Sequence, residues 1–159
     1  MTSIQVSVDV ARPVSTVYNQ WTQFESFPQF MEGVDRVEQE TDRRAHWETS
    51  IGGVKRDFDT EITEQHPDER VAWTSLEEPK HGGVVTFHRL DEGSTRVHLE
   101  MEYEPHSIPE KAGAAMGVVQ QRVKGDLQRF KEFIETRDAE TGAWRGDIPR
   151  PPQTDPGPK

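Results

Sequence analysis

The sequence predicts one α+β domain in which a curved antiparallel β-sheet wraps around a long C-terminal helix, with an apolar internal cavity between them. Three observations predict it: stretches in which apolar and polar residues alternate, turn residues between those stretches, and one long apolar stripe of helical spacing. Alternation of period two is typical of a strand with one buried face, and short strands joined by hairpins form an antiparallel meander. We place the domain at residues 1–146 and expect the Pro-rich residues 147–159 to be disordered.

The N-terminal part predicts one strand and two short helical segments. Residues 4–10 alternate apolar with polar side chains and form the strand. Pro13 is suited to the first turn of a helix, and residues 14–21 continue it with apolar side chains at helical spacing. Residues 24–31 predict a second short helix or turn, which Gly33 ends.

The middle of the chain predicts six strands in a meander. Asp, Gly and Pro clusters separate the strands, and Gly52-Gly53 and Gly82-Gly83 are both read as tight turns. The predicted strands are Val34 to Glu40, Arg44 to Ile51, Val54 to Glu64, Arg70 to Leu76, Val84 to Leu90 and Thr95 to Tyr103.

The C-terminal part predicts one long helix from about Pro109 to Arg137. Its apolar residues lie three and four apart, which is the pattern of a helix with one buried face. This stripe is Ala112, Ala115, Met116, Val119, Val123, Leu127, Phe130 and Ile134. We expect Trp144, which follows the helix, to fold back as a cap over the sheet or the cavity edge, because a lone exposed Trp is uncommon.

Composition excludes several classes of function. The formal charge of −10 and a pI of about 5.1 oppose binding to phosphate backbones, so we expect no nucleic-acid partner. The chain has no Cys, hence no disulfide or zinc thiolate site, which fits a cytoplasmic protein. The N-terminus lacks the pattern of a signal peptide, and no apolar run is long enough to span a bilayer, so we expect a soluble protein.

The candidate binding residues are those that alternation places on the inner face of the sheet or on the helical stripe. Each could be simple core, but as a set they describe a mostly apolar pocket with few polar groups, as small-molecule sites do. The predicted lining is Trp47, Thr49, Arg56, Phe58, Thr60, Trp73, Val85, Phe87, Leu99, Met101 and Tyr103 from the sheet, with Met116, Val119 and Val123 from the helix.

Arg56 is the one charged residue in this predicted lining. It shares its parity with Phe58 and Thr60, so it points toward the pocket or its mouth. A buried guanidinium is costly unless it is paired or used. The alternative is a position at the strand end, where the side chain reaches solvent or pairs with Glu48 or Asp59.

Other chemistry has little support. The six histidines show no helical HxxxH spacing, and we predict surface histidines and no metal site. Neither Gly-Gly pair is a phosphate-binding loop, no Ser/His/Asp constellation stands out, and no cofactor is implied.

The order of elements and several segments resemble the polyketide cyclase/dehydrase and lipid-transport group of the START-like (SRPBCC) superfamily, which includes the coenzyme Q-binding proteins and the plant Bet v 1 allergens. The segments are VDVARPVSTVYNQWTQFESFPQFMEGV, HWETSIGGVKRDFDTEITEQHPDERVAWTS, GGVVTFHRL, STRVHLEMEYEP and RVKGDLQRFKEFIE. The resemblance covers the chain from Met1 to about Trp144. It implies the helix-grip fold and an internal ligand cavity.

The resemblance also implies roles for three residues. Trp21 and Phe27 match the family's aromatic positions near the pocket entrance, and Arg56 matches an inward Arg that helps polarise a ketone in the aromatase/cyclase members. Two functions stay open. The first is the binding of one lipophilic small molecule (a quinone, polyketide, lipid or isoprenoid-like group), and the second is a polyketide cyclase or dehydratase in which Arg56 assists catalysis.

Overall fold

The computed structural model describes residues 2–51, 54–77, 81–103, 112–137 and 139–149, with the backbone alone at positions 2, 51, 54, 103 and 112–119. Two helical segments follow the first strand, and one long helix follows the last. The elements are β1 (Thr2–Val10), α1 (Val14–Trp21), a 3-10 helix (Phe24–Gln29), β2 (Val34–Gln39), β3 (Arg44–Ile51), β4 (Val54–His66), β5 (Arg70–Ser75), β6 (His81–Asp91), β7 (Ser94–Tyr103) and α2 (Ala112–Glu135).

These strands form one antiparallel sheet in the order β1-β7-β6-β5-β4-β3-β2. Six of them are a meander, and β1 returns to pair with β7 along its whole length. Register shifts in β2, β4 and β6 mark bulges, which increase the local twist and help the sheet to curl. The curved antiparallel sheet and the single long C-terminal helix confirm the predicted fold class.

One predicted turn is wrong. Gly82 and Gly83 lie inside β6, where they pair with Thr74 and Trp73 of β5, and β6 therefore begins at His81. Gly83 is required by close packing, since a Cβ there would lie 2.7 Å from Cη2 of Trp73 and 2.7 Å from the Glu100 carbonyl oxygen. The second Gly-Gly pair, Gly52-Gly53, lies outside the described residues. So do residues 104–111, where the helix was expected to begin.

Polar contacts hold the C-terminal half of helix α2 to the rest of the fold. Arg129 donates through Nε to the carbonyl oxygen of Phe30 at 2.8 Å, and Asp126 accepts the backbone N–H of Glu32 at 2.9 Å. Burial raises the pKa of the Asp126 carboxyl. At the helix C-terminus, Arg12 donates to the carbonyl oxygens of Glu135 and Arg137, which would otherwise lack partners.

Residues 139–149, here called the C-terminal strap, run back across the fold. The Thr141 N–H donates to Oε1 of the fully buried Gln20 at 2.8 Å, and the Trp144 N–H donates to Oγ1 of Thr22 at 3.0 Å. Ile148 exchanges two backbone hydrogen bonds with Gln65 and is buried. The strap thereby ties α1 to β4.

This strap bears on two predictions. Trp144 packs against the hydrophobic core, so its predicted return to the fold is confirmed. Asp147 and Ile148 were assigned to a disordered tail, yet both contact β4, which moves the end of the domain at least to Ile148. The sequence could not show this, because Ile148 is held by backbone hydrogen bonds to the distant residue Gln65, and such pairing leaves no pattern in the local sequence. Residues 150–159 lie outside the described part of the chain, and their disorder stays a prediction.

We expect the strap to be held more firmly at acidic than at alkaline pH. The His66 imidazole lies between two carboxylates, Asp147 Oδ1 at 2.5 Å from Nδ1 and Glu64 Oε2 at 2.9 Å from Nε2, and these two hydrogen bonds raise the pKa of His66. Because the pKa of His66 is higher in the folded than in the unfolded protein, the protonated imidazole stabilises the fold. This contribution is complete below about pH 6.5, the ordinary pKa of His, and is lost as the pH rises through the pKa of the folded state. Arg70 also faces this group, with its Nε 3.7 Å from Oε1 of Glu64.

The measurement is the melting temperature of the wild type and of His66→Ala from pH 5.5 to pH 9. The difference between the two proteins should shrink as pH rises. A difference that stays constant, or that grows with pH, would contradict the assignment.

Candidate functional site

The concave face of the sheet is divided into two halves that differ in packing. In the first, here called the closed half, aromatic rings from α1, the 3-10 helix, β6 and α2 meet in edge-to-face or tilted contacts. Trp21 lies 5.3 Å from Phe27, 5.2 Å from Phe130 and 6.4 Å from Phe87, measured between ring centroids. These side chains are buried, so this half is filled by protein.

The second, here called the open half, is apolar but only half-buried. It carries Trp47, Phe58, Trp73 and Met101, all of which keep part of their side chains accessible. Apolar side chains that stay half-exposed on a concave face are typical of a surface that receives another apolar group. The open half is therefore the candidate ligand site.

An aromatic row crosses the open half. Trp47 and Phe58 stack with an interplanar angle of 11° and 6.0 Å between centroids, and His81 meets Phe58 edge to face at 4.8 Å. Strand β5 ends at Ser75, and the side chains of Phe58 on β4 and His81 on β6 meet beyond that end. The backbone N–H of His81 donates to Ser75 Oγ at 3.0 Å and helps hold this arrangement.

Trp73 forms the floor of the open half. Its indole lies directly over Gly83, where any Cβ would come within 2.8 Å of Cζ2. The glycine lets the ring lie close to the sheet instead of standing up in the groove. The position of the Trp73 ring against the sheet is thus a consequence of the residue opposite it.

The threonine hydroxyl groups of the predicted lining form hydrogen bonds with other groups of the protein. Thr49 donates through Oγ1 to the carbonyl oxygen of Arg56 at 3.1 Å, and Thr60 Oγ1 accepts the indole N–H of Trp47 at 2.9 Å. Both threonines are buried. They orient Trp47 and the β3–β4 ladder beneath the aromatic row.

Arg56 lies on the concave face by register, opposite Thr49, and its side chain is exposed. This places the guanidinium at the rim of the open half and not within the packed core. The two readings of Arg56 differed in whether it lines the groove or reaches solvent, and an exposed position at the rim is compatible with both.

The other predicted lining residues fall into three groups. Trp21, Phe27 and Phe87 belong to the closed half, where they serve as core. Val85, Leu99 and Val123 are buried members of the hydrophobic core. Tyr103, Met116 and Val119 lie where the structure describes no side chains, so the enclosed cavity that they were expected to complete stays a prediction.

His81 is the residue of this site that the sequence analysis missed. It was lost because Gly82-Gly83 was read as a turn, which placed the start of the strand at Val84 and not at His81. The alternation of Val85 and Phe87, continued backward by two and four residues, reaches Gly83 and His81 and would have found it.

Two shallow depressions on the described surface lie elsewhere, one around Gln23 and Gln29 and one around Met31 and Arg129. Neither contains a residue of the predicted lining. Among the described residues, no three His, Asp or Glu side chains are grouped so as to hold a metal ion. The described helices include none with the length and apolarity needed to cross a bilayer.

Comparison with known proteins agrees with this architecture. The model of a family described as polyketide cyclase/dehydrase and lipid transport matches residues 10–132. An uncharacterized 17.2 kDa protein of Streptomyces lincolnensis is 57% identical over 149 residues, which cover 93% of this chain and 99% of that protein.

Two solved structures share the fold. The Zhui aromatase/cyclase from Streptomyces sp. R1128 superposes with a TM-score of 0.72 at 16% identity, covering 90% of this chain and 99% of that one. A START superfamily protein from Mycobacterium smegmatis gives a TM-score of 0.69 at 14% identity, covering 84% and 97%. At these identities the likeness concerns the fold.

Proposed function

Because this chain belongs to the polyketide cyclase/dehydrase and lipid-transport family, we propose that it binds one lipophilic small molecule on the open half of its concave face. The observation that carries the proposal is the half-buried aromatic row of Trp47, Phe58 and His81 above the Trp73 floor. Apolar area removed from water there contributes about 25 cal/mol per Å² to binding. The ligand classes that fit are quinones, polyketides, lipids and isoprenoid-like groups.

Binding without catalysis is the reading that the polar groups favour. Catalysis of ring closure needs polar groups that converge on one reacting carbon. In the described part of the open half, the Thr49 and Thr60 hydroxyls already hold protein groups, and Arg56 lies at the rim. A carrier needs only the apolar surface.

The formal charge of −10 disfavours a nucleic-acid partner, and we place the protein in the cytoplasm.

Cyclase activity is the second candidate function. It is favoured by the position of Arg56 on the ligand face and by the fold shared with the Zhui aromatase/cyclase. In that case the guanidinium would stabilise negative charge developing on a ketone oxygen, a role that the point charge of Lys fills poorly.

Arg56 variants separate the two candidates. With Nile red as a neutral apolar probe, we expect the wild type, Arg56→Ala and Arg56→Lys to bind with dissociation constants within about threefold of one another, since buried area supplies most of the affinity. Native mass spectrometry of protein purified from its own host should show a co-purifying apolar mass. Turnover of a poly-β-ketone by the wild type that falls about a hundredfold in both variants would establish the cyclase instead.

A further inference from the structure

Two buried hydroxyl residues lie side by side beneath the aromatic row. Thr60 of β4 and Ser75 of β5 are directly opposite each other in the strand register, so their side chains lie on the same, concave face. Both are buried, as is Ala45, the partner of Thr60 on β3. These three residues form a line of short side chains across the sheet, over which larger neighbouring side chains can extend.

Each hydroxyl holds one end of the aromatic row. Thr60 Oγ1 accepts the indole N–H of Trp47 at 2.9 Å. Ser75 Oγ accepts the backbone N–H of His81 at 3.0 Å. Phe58 lies between these ends, with its ring centroid 6.0 Å from that of Trp47 and 4.8 Å from that of His81. The outer members of the row are therefore tied to neighbouring residues of the sheet beneath it.

The hydrogen bond to Thr60 determines how the Trp47 ring is oriented. The backbone of Trp47 is paired with Phe58, whereas its indole N–H reaches Thr60, farther along β4. The ring therefore extends diagonally across the strand pair, and in this position its plane is within 11° of that of the Phe58 ring. Rotation of the half-buried indole away from Phe58 would break a hydrogen bond to a buried oxygen, which is costly. Trp47 is thus held in one orientation before a ligand binds.

We propose that Thr60 is a positioning residue of the ligand site, and that the rigid aromatic surface it maintains selects flat, unsaturated ring systems over saturated ones of the same skeleton. The inference rests on the proposed binding function and adds a residue that determines selectivity and the ligand shape that it selects. A surface that is already ordered loses little conformational entropy when a ligand binds. Contacts between aromatic rings add about two- to twelvefold in affinity beyond the area that they bury, and a saturated ring cannot form them.

The test compares 2-naphthol with trans-decahydro-2-naphthol, which has the same carbon skeleton and hydroxyl group but is saturated and not flat. Both are neutral, and their dissociation constants follow from the displacement of Nile red. We expect the wild type to bind 2-naphthol about fivefold more tightly than the saturated alcohol. Thr60→Val keeps the shape of the side chain and removes the acceptor, so it should reduce the preference to less than about twofold, whereas Thr60→Ser should retain it.

The position of Trp47 can be followed by nuclear magnetic resonance. Its indole N–H signal is assigned by its absence from the spectrum of Trp47→Phe. We expect slow exchange of this proton with deuterated water in the wild type and in Thr60→Ser, and faster exchange in Thr60→Val, because the hydrogen bond protects the proton. Trp47→Phe carries a ring that Thr60 cannot hold, so it should also lose the preference for 2-naphthol, which tests the inference even if Thr60→Val does not fold.

The matched control is Thr95→Val. Thr95 is also buried, and it donates through Oγ1 to the carbonyl oxygen of Arg12 at 2.9 Å. Its partner on β6 is Arg89, near the end of that strand, whereas His81 is the first residue of the strand. The control therefore removes the same hydroxyl from a buried threonine that is remote from the aromatic row, and it should keep the full preference for 2-naphthol.

The outcomes separate this inference from the proposed function. Equal binding of the two alcohols by a wild type that binds Nile red would overturn the inference and leave the binding function standing. Retention of the preference in a folded Thr60→Val or in Trp47→Phe, or its loss in Thr95→Val, would also overturn it. If Nile red does not bind to the wild type, both proposals fail.

Discussion

A chain that ends after Arg137 should melt roughly 10–20 °C below the full-length protein, whereas a chain that ends after Pro149 should melt within a degree or two of it. The first truncation removes the C-terminal strap and the second removes only residues 150–159. The contrast follows from what the strap contacts. Deletion of a segment that makes few contacts changes stability little.

The expected loss comes from burial and from polar groups left without partners. Ile148 is buried, and covering such a side chain contributes about 2 kcal/mol. Gln20 is fully buried and loses both its contacts with Thr141, while the backbone N–H of Gln65 loses the Ile148 carbonyl. Each buried group left unsatisfied costs about 1–3 kcal/mol. A total near 5 kcal/mol, at about 2–4 °C per kcal/mol for a chain of this size, gives the stated range.

Thermal unfolding followed by circular dichroism at one pH measures both truncations. Equal melting temperatures for the two chains would mean that the strap does not hold α1 to β4. A large fall for the chain ending at Pro149 would instead show that residues 150–159 contribute contacts of their own.

The strands and helices could be predicted because their signals are local. Alternation along residues 4–10 and 95–103 and the helical stripe through Phe130 each report one buried face, and each corresponds to an element in the structure. Gly82-Gly83 was misread because the reason for glycine there is the indole of Trp73 on the next strand. That contact depends on sheet pairing, which a local pattern does not contain.

The site was harder to predict than the fold. Parity places Phe58 and Phe87 on the same concave face, and it cannot tell that Phe87 is covered by Tyr18 and Trp21 while Phe58 stays half-exposed. That difference arises from where α1 lies across the sheet. The contacts of the strap could not be predicted for the same reason. They are polar pairs with Gln20 and Gln65, which are distant in the sequence, and such pairs produce no periodic pattern.

Phe58→Ala should weaken the binding of Nile red about thirtyfold or more. Phe58 is the middle ring of the aromatic row, between Trp47 and His81, so its removal takes away the surface on which a bound ring would lie. About 80–100 Å² of lost apolar contact at about 25 cal/mol per Å² corresponds to 2–2.5 kcal/mol, or a factor of roughly thirty to seventy. A charged substitution of a buried side chain, such as Phe87→Asp or Leu99→Asp, is a poorer test because both side chains belong to the core and the protein would unfold.

The matched control is Phe133→Ala. Phe133 is also a half-buried phenylalanine, but it lies on α2 against Phe30 and the guanidinium of Arg137, away from the open half. Both substitutions delete the same atoms from partly accessible positions, so we expect comparable losses of stability, about 1–3 kcal/mol each. Only Phe58→Ala should weaken the binding of Nile red, because Phe58 belongs to the surface that receives the probe and Phe133 does not. Parallel losses of affinity in the two variants would assign the effect to general destabilisation, and unchanged binding by Phe58→Ala would remove the open half as the ligand site.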